Sequence, residues 1–347
     1  MDVHRIGRNT VALVNQPRLA AGASIAGKKE GEGPLGQMYD AVIGDDLFGE
    51  ESWEKAECHF YYAAAQTCLT KAGVTPEQVD ALLGGDLLNQ IMAASMAARE
   101  LKIPFLGLYG ACSTMAESLC VGAMLVDGGY VRNALCVASS HFCSAERQYR
   151  FPLEYGAQRT PTAQWTVTGA GASLLTLQEG MPSIARCTHV TIGTVTDMGV
   201  SDANNMGAAM APAAADTLRR HFADTGRTAA DYDLIVTGDL GRVGHDVLLK
   251  LMQEQGFPLI PEKYMDCGLQ VFDAHQDVHA GGSGCGCSGI TLNSLILRSL
   301  REGKVKRVLF MATGALLSTT SSQQGATIPG IAHAIVLEGD CACSGHS

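Results

Sequence analysis

Cys112 sits in the run Gly110-Ala-Cys-Ser-Thr, directly after the short apolar segment Phe105 to Tyr109 and at the head of a helical pattern. A thiol placed there faces unpaired N–H groups and the positive end of the helix dipole, which favour a thiolate and would also receive an oxyanion. That is a nucleophile's position, although one small buried residue among 12 cysteines is an equally simple reading. Asp86 and Asp239 each close a short apolar segment, and Asn89 follows the first. Polar residues at strand exits cap turns, yet strand C-termini also open onto clefts in layered α/β folds, so all three are pocket candidates. His279 stands two residues before a glycine-rich run and is read either as a ligand contact, a shifted base or a satisfied structural histidine. His141, Arg147, Arg150 and Arg159 belong to a stretch, 141–167, that has no clean period and reads as an excursion over or beside a cleft. Its arginines meet a ligand, pair with Glu146 and Glu154, or build a dimer contact.

No metal is expected. Cys285/Cys287 and Cys341/Cys343 have Cys-Xaa-Cys spacing, which is not the usual zinc spacing, and no histidine cluster accompanies them. Asp197, Asp202, Asn204 and Asn205 lack the spaced ligand pattern of a calcium loop and read as loop structure.

The elements that must position these residues come from a repeat. Lys71 to Asp86 (KAGVTPEQVDALLGGD) matches Asp224 to Asp239 (DTGRTAADYDLIVTGD) at an offset of 153. Each ends a helix at an Ala-Gly or Thr-Gly cap, turns, and enters a short apolar strand closing in Gly-Asp. Gly110 to Ser139 matches Gly284 to Thr313 at an offset of 174, each reading as a Gly-rich turn, a mostly apolar helix, a Gly stop, a basic turn residue (Arg132, Lys306) and a hydrophobic strand. Two copies of one α/β unit follow, 1–180 carrying the excursion and 181–347, with the boundary near Gly180 to Ser183. Helices Met115 to Val126 and Ile290 to Leu300 are apolar on nearly every side, and strands Ala134 to Ala138 and Val308 to Ala312 are unbroken apolar runs. The helices must be sandwiched between two sheets with further helices outside.

Composition agrees with that layering. The 347 residues are 46% hydrophobic and 17% charged, with 40 glycines that suit close backbone contacts. A net charge of −10 argues against nucleic-acid binding, which needs a basic face. The cysteines are scattered through apolar runs and are read as reduced, mostly buried thiols. No signal peptide and no transmembrane segment is expected, so any membrane association requires partners.

The duplicated half, the Cys112 run, the Thr168-Gly-Ala-Gly-Ala-Ser173 turn and Gly282-Ser-Gly-Cys-Gly-Cys-Ser-Gly289 together resemble the thiolase superfamily of thiolases and ketoacyl synthases. The resemblance implies a thiolase-like layered αβαβα fold. It also implies a cysteine acylated from a CoA or carrier-protein thioester and activated by His or Asn from the second half. Here Ser283 occupies the histidine position of the glycine-rich signature, Gly238 and Asp239 stand where synthases carry His and thiolases Asn, and no second cysteine occurs around Thr313 to Ser318. Those departures imply a fold without a general acid or base at Cys112.

Five longer runs narrow the likeness: Gly84-Gly-Asp-Leu-Leu-Asn-Gln90, Ser140-His-Phe-Cys143, Ala145-Glu-Arg-Gln-Tyr-Arg-Phe-Pro-Leu-Glu-Tyr155, Thr162-Ala-Gln-Trp-Thr166 and Asn205-Met-Gly-Ala-Ala-Met-Ala-Pro212. They resemble the stage V sporulation AD family of spore-forming bacteria. This resemblance implies a non-enzymatic protein that binds dipicolinic acid, free or with calcium, during its uptake into the developing spore. It further implies work beside membrane subunits of a channel complex, peripheral to the inner membrane of the forespore or spore, with no cofactor. Cys112, His279, Asn89, Asp86, Asp239, Ser283, His141 and Arg150 are the expected ligand contacts, and the fold implies a homodimer. The alternative is an acyltransferase that uses Cys112 as nucleophile on acyl-CoA or acyl-carrier thioesters.

Overall fold

The structure is a computed structural model that describes residues 4–149 and 159–340. Ten strands set its frame. In the first half, β1 (Arg18–Gly27), β2 (Ala81–Gly85), β3 (Phe105–Gly107), β4 (Asn133–Ser140) and β5 (Gly169–Thr176) lie in the order β1-β5-β4-β2-β3. In the second, β6 (Ala185–Thr191), β7 (Leu234–Thr237), β8 (Tyr264–Asp266), β9 (Arg307–Ala315) and β10 (Gly330–Gly339) lie in the order β6-β10-β9-β7-β8. In both, the last three strands are parallel and the pairings of the first three are antiparallel. The expected two sheets are joined rather than separate: β1 and β6 pair at Arg18↔Arg186 and Leu19↔Ala185, so one hydrogen-bonded path runs through all ten strands.

Helix α1 (Trp53–Ala72) and α2 (Met92–Leu101) cover the outside of the first half, and α5 (Met206–Thr225) and α6 (Gly241–Glu254) the outside of the second. The Ala-Gly and Thr-Gly stops behave as read: Gly73 and Gly226 end α1 and α5 in the left-handed region, each at φ 67°. Between the sheets lie α3 (Thr114–Asp127) and α7 (Cys285–Thr291), with α8 (Leu297–Arg301) continuing the second. Met115, Leu119 and Val126 of α3 are fully buried, at roughly 1.5–3 kcal/mol of hydrophobic stabilisation each. The expected single helix Ile290 to Leu300 carries a π-helical turn at Leu292–Ile296, where buried Asn293 accepts from Ser173 Oγ at 2.8 Å and donates to Gly289 O at 2.9 Å.

Two local expectations are corrected. The Thr168 to Ser173 segment is not a turn but the start of β5, and the glycine-rich run after Ser283 is helix α7 rather than loop. Both follow from one contact. Gly171 and Gly289 bring strand and helix backbones so close that a Cβ on Gly171 would lie 2.2 Å from the Gly289 carbonyl. The glycines there serve packing and not flexibility. Helix α4 (Phe142–Tyr149) opens the excursion, and a ribbon pairing Trp165–Thr166 with Gly282–Ser283 closes it against the second half.

Candidate functional site

The cleft forms where the ends of both halves meet. The Cys112 loop leaves β3, Asp239 follows β7, Ser283 precedes α7 and Thr313 lies in β9. The loop is tightly wound: Ala111 has φ 49°, Ser113 Oγ donates to Gly110 O at 2.7 Å, and Thr114 Oγ1 donates to Ala111 O at 2.7 Å. The second half presses on it, since a Cβ at Gly314 would sit 2.1 Å from Gly110 O. The resulting cavity encloses about 500 Å³ including its open mouth. Leu87, Tyr109, Tyr149, Met206 and Leu317 make an apolar and aromatic wall, while Cys112, Thr166, Ser283 and Glu146 supply the polar lining. Tyr149 Oη donates to Leu87 O, so Tyr109 is the donor of the 3.2 Å bond between the two hydroxyls.

Asp239 is the hub. Its carboxylate accepts from Gly284 N at 2.9 Å, Thr313 Oγ1 at 2.9 Å, Ser283 Oγ at 3.3 Å, and from the Cys112 thiol. Burial nevertheless outweighs these donors and raises its pKa to about 6. The Cys112 thiol is pushed well above its ordinary value, first by burial and then by the Asp239 charge and the hydrogen bond it accepts. Bonds from Gly284 N and Ser283 act the other way and do not win. The arrangement therefore holds a protonated thiol, the reverse of the thiolate expected from a helix N-terminus alone.

The comparisons with known proteins fit this frame. Residues 7–338 match the family described as stage V sporulation protein AD (SpoVAD). Stage V sporulation protein AD of Bacillus subtilis strain 168 is 47% identical over 332 residues, 96% of this chain and 97% of that protein. The chain belongs to the SpoVAD family. Its fold is the thiolase fold, shared with human mitochondrial 3-ketoacyl-CoA thiolase in complex with CoA (TM-score 0.60, 15% identity, 95% and 99% of the two chains). Xanthomonas campestris OleA E117D (TM-score 0.60, 16% identity, 97% and 99%) and 3-oxoacyl-[acyl-carrier-protein] synthase III of Aquifex aeolicus VF5 (TM-score 0.55, 14% identity, 93% and 99%) share it as well. At such identities the likeness concerns the fold alone.

In this SpoVAD chain the structure brings Cys112, Asp239 and Ser283 together and takes the other expected contacts elsewhere. Asp86, the counterpart of Asp239, is fully buried and spends its oxygens on Leu88 N and Ala94 N, both at 2.7 Å, so it caps the turn and α2. In the second half Asp266 takes over that task, accepting from Leu240 N and Gly241 N at 2.9 Å each, which frees Asp239 for the cleft. Asn89 is not in the cleft lining; its N–H donates to Gln148 Oε1 at 3.0 Å on an outer groove. His279 is likewise away from Cys112, tied to Thr160 O at 2.7 Å and Asp277 at 3.1 Å near the surface. His141 is buried, its Nε2 2.7 Å from Asp46 O, and burial lowers its pKa. Arg147 pairs with Glu54, Arg159 donates to Asp277 O, and Arg150, Glu154, Cys341 and Cys343 lie outside the described residues. Cys285 and Cys287 donate singly to Ser139 O and Gly238 O. In the 197–205 loop, Asp197 and Asp202 accept from Gly199 N and Asn204 N, and Asn205 caps α5.

Sequence reasoning missed Thr313, Tyr109, Tyr149 and Met206 as parts of the cleft. Tyr109 abuts the Cys112 run, and Thr313 ends the repeat partner of the segment that contains Cys112; both signals were in the sequence. Tyr149 and Met206 reach the cleft only through the folding of the excursion and the start of α5.

Proposed function

We propose that this SpoVAD-family protein is a non-enzymatic binding protein for dipicolinic acid or its calcium chelate. It acts in dipicolinate uptake into the developing spore as a peripheral subunit beside membrane partners. The observation that carries the reading is the Asp239 carboxylate in hydrogen-bond contact with Cys112. Burial, and next the Asp239 charge, keep the thiol protonated, which removes the nucleophile that acyl transfer from a thioester requires. What remains is a small cleft with aromatic and aliphatic walls, suited to a flat ring. Among the described residues its lining contains no lysine, arginine or histidine. The electroneutral calcium chelate is therefore a better match to it than the free dianion, whose burial without a cation is costly. Among the described residues no helix is long and apolar enough to cross a membrane, so attachment to a spore membrane complex rests on partner subunits. A homodimer would use the edge strand β3, where Leu106 is 49% exposed.

Isothermal titration with dipicolinate, alone and with equimolar calcium, is expected to give saturable binding, tighter with calcium. Cys112→Trp, which fills the cleft, is expected to abolish it. Absence of heat in both titrations would overturn the reading. Incubation with acetyl-CoA and malonyl-CoA is expected to leave Cys112 unmodified by mass spectrometry.

A further inference from the structure

Helix α4 and the Trp165–Thr166/Gly282–Ser283 ribbon have two sides. Ala145, Glu146, Tyr149, Thr166 and Ser283 line the Cys112 cleft. On the other side Phe142 and Trp165 line a separate open cavity of about 700 Å³ together with Lys28, Lys29, Glu32 and Asp46. Phe142 stacks flat on Trp165, with ring centroids 3.7 Å apart and planes 7° apart. Lys29 Nζ lies 3.8 Å from the Trp165 ring centroid. Since Phe142 fills one face, the ammonium occupies the other. The Arg159 guanidinium, on a side chain only 7% exposed, lies 4.7 Å from the centroid of the same indole.

Two cations are thus held against one aromatic side chain, and each repels the other. Burial, and next the charge of Arg159, lowers the pKa of Lys29. An ammonium has three N–H donors, and a ring face satisfies its field on one side only. Neither the Lys29 nor the Lys28 ammonium makes a hydrogen bond or ion pair with a described residue. The carboxylates in reach do not fill the gap: Asp277 lies 3.6 Å from the Arg159 guanidinium and offsets part of its charge but makes no contact with Lys29. Buried Glu30 accepts from Thr168 N at 2.9 Å and, with its pKa raised by burial to about 8, is largely neutral at pH 7, while Glu32 and Asp46 line the cavity without contacting either lysine.

We propose that this cavity is a second ligand site, distinct from the Cys112 cleft, which binds a small oxyanion, a carboxylate or phosphate group, on the Lys29 ammonium beside Trp165 with Lys28 at its mouth. A bound oxyanion accepts the N–H groups of Lys29 that the ring cannot.

The chain has two tryptophans, Trp53 and Trp165, so Trp53→Phe leaves Trp165 as the sole indole reporter. Fluorescence of that variant is titrated with inorganic phosphate and with acetate at constant ionic strength, chloride serving as the balancing ion. A saturable change with at least one of the two is expected. It should weaken roughly tenfold in Trp53→Phe/Lys29→Met, the loss of one charge-assisted contact. Trp53→Phe/Lys29→Arg, which keeps the charge, is expected to retain binding, and thermal unfolding of each variant checks that the fold is kept. The proposal is overturned if neither anion saturates. It is overturned equally if the Lys29→Met protein, folded, binds as tightly as its parent.

Discussion

Replacing Asp239 with Asn tests the chemistry of the cleft directly. The change keeps the side chain's shape and one acceptor oxygen but removes the charge that faces the Cys112 thiol. For a thiol and carboxylate roughly 4 Å apart at an effective dielectric of about 20, the charge opposes thiolate formation by ~4 kcal/mol, a factor of roughly 10³ in the ionisation equilibrium. Burial is the larger cause of the raised thiol pKa and is untouched by the substitution, so the thiol should still titrate above an ordinary cysteine. The measurement is the rate of Cys112 alkylation by iodoacetamide between pH 7 and 10.5, read by peptide mass spectrometry. In Asp239→Asn the rate at pH 8.5 is expected to rise by between ~10-fold and ~10³-fold, with the apparent thiol pKa moved down. Cys285 and Cys287 are buried in the α7 layer and report unfolding; they should stay unmodified in both proteins. An apparent Cys112 pKa that stays put or rises in Asp239→Asn, with Cys285 and Cys287 still protected, would refute the claim that the carboxylate adds to burial in raising the thiol pKa.

Two further outcomes follow from the buried layer. Burial raises Asp86 and Asp239 to about 6, Asp266 to about 7 and Glu30 to about 8, so each contributes stability that is fully present below its unfolded-state pKa near 4 and is lost as pH climbs through the folded value. Below about pH 6.5 the buried histidines, His221 with its pKa lowered to about 3 and His333 to about 4, oppose this trend, so the acids show alone above it: urea unfolding should show stability falling by ~2–3 kcal/mol between pH 6.5 and pH 8.5, because a tenfold difference in proton affinity between the folded and unfolded chain is worth roughly 1.4 kcal/mol, and a rise over that range contradicts the assignment. Gly171→Ala would drive a Cβ into the Gly289 backbone at 2.2 Å and is expected to cost roughly 3 kcal/mol or prevent folding, while Gly44→Ala, with nothing within 4 Å, should be near neutral in the same denaturation assay.

The architecture was legible because it repeats. The paired caps at Gly73 and Gly226 and the all-round apolar patterns Met115 to Val126 and Ile290 to Leu300 are local signals of chain direction and burial, and they report the layers without any knowledge of contacts. Cys112 was visible at the head of its helix, and Ser283 and Asp239 were singled out by the resemblance to the thiolase pattern, which expects His or Asn there. The state of the thiol was not. A helix N-terminus predicts a thiolate, and only the tertiary structure brings the carboxylate of Asp239 against it and buries both.

The sequence by itself determined the duplicated unit, the buried helices and the place of Cys112 at the head of one of them. Tertiary structure alone decided which polar residues meet. Asp86 and Asp239 occupy matching positions in the two halves, yet one is consumed by its own helix cap and the other is freed by Asp266, a residue far along the chain. It also separated His141, Arg159 and His279 from the cleft: His141 lines the cavity on the other side of α4 and the Trp165 ribbon, Arg159 lies over the Trp165 indole, and His279 is tied to Thr160 O and Asp277. Sequence spacing fixes which face of an element a residue occupies, but what that face touches depends on long-range packing.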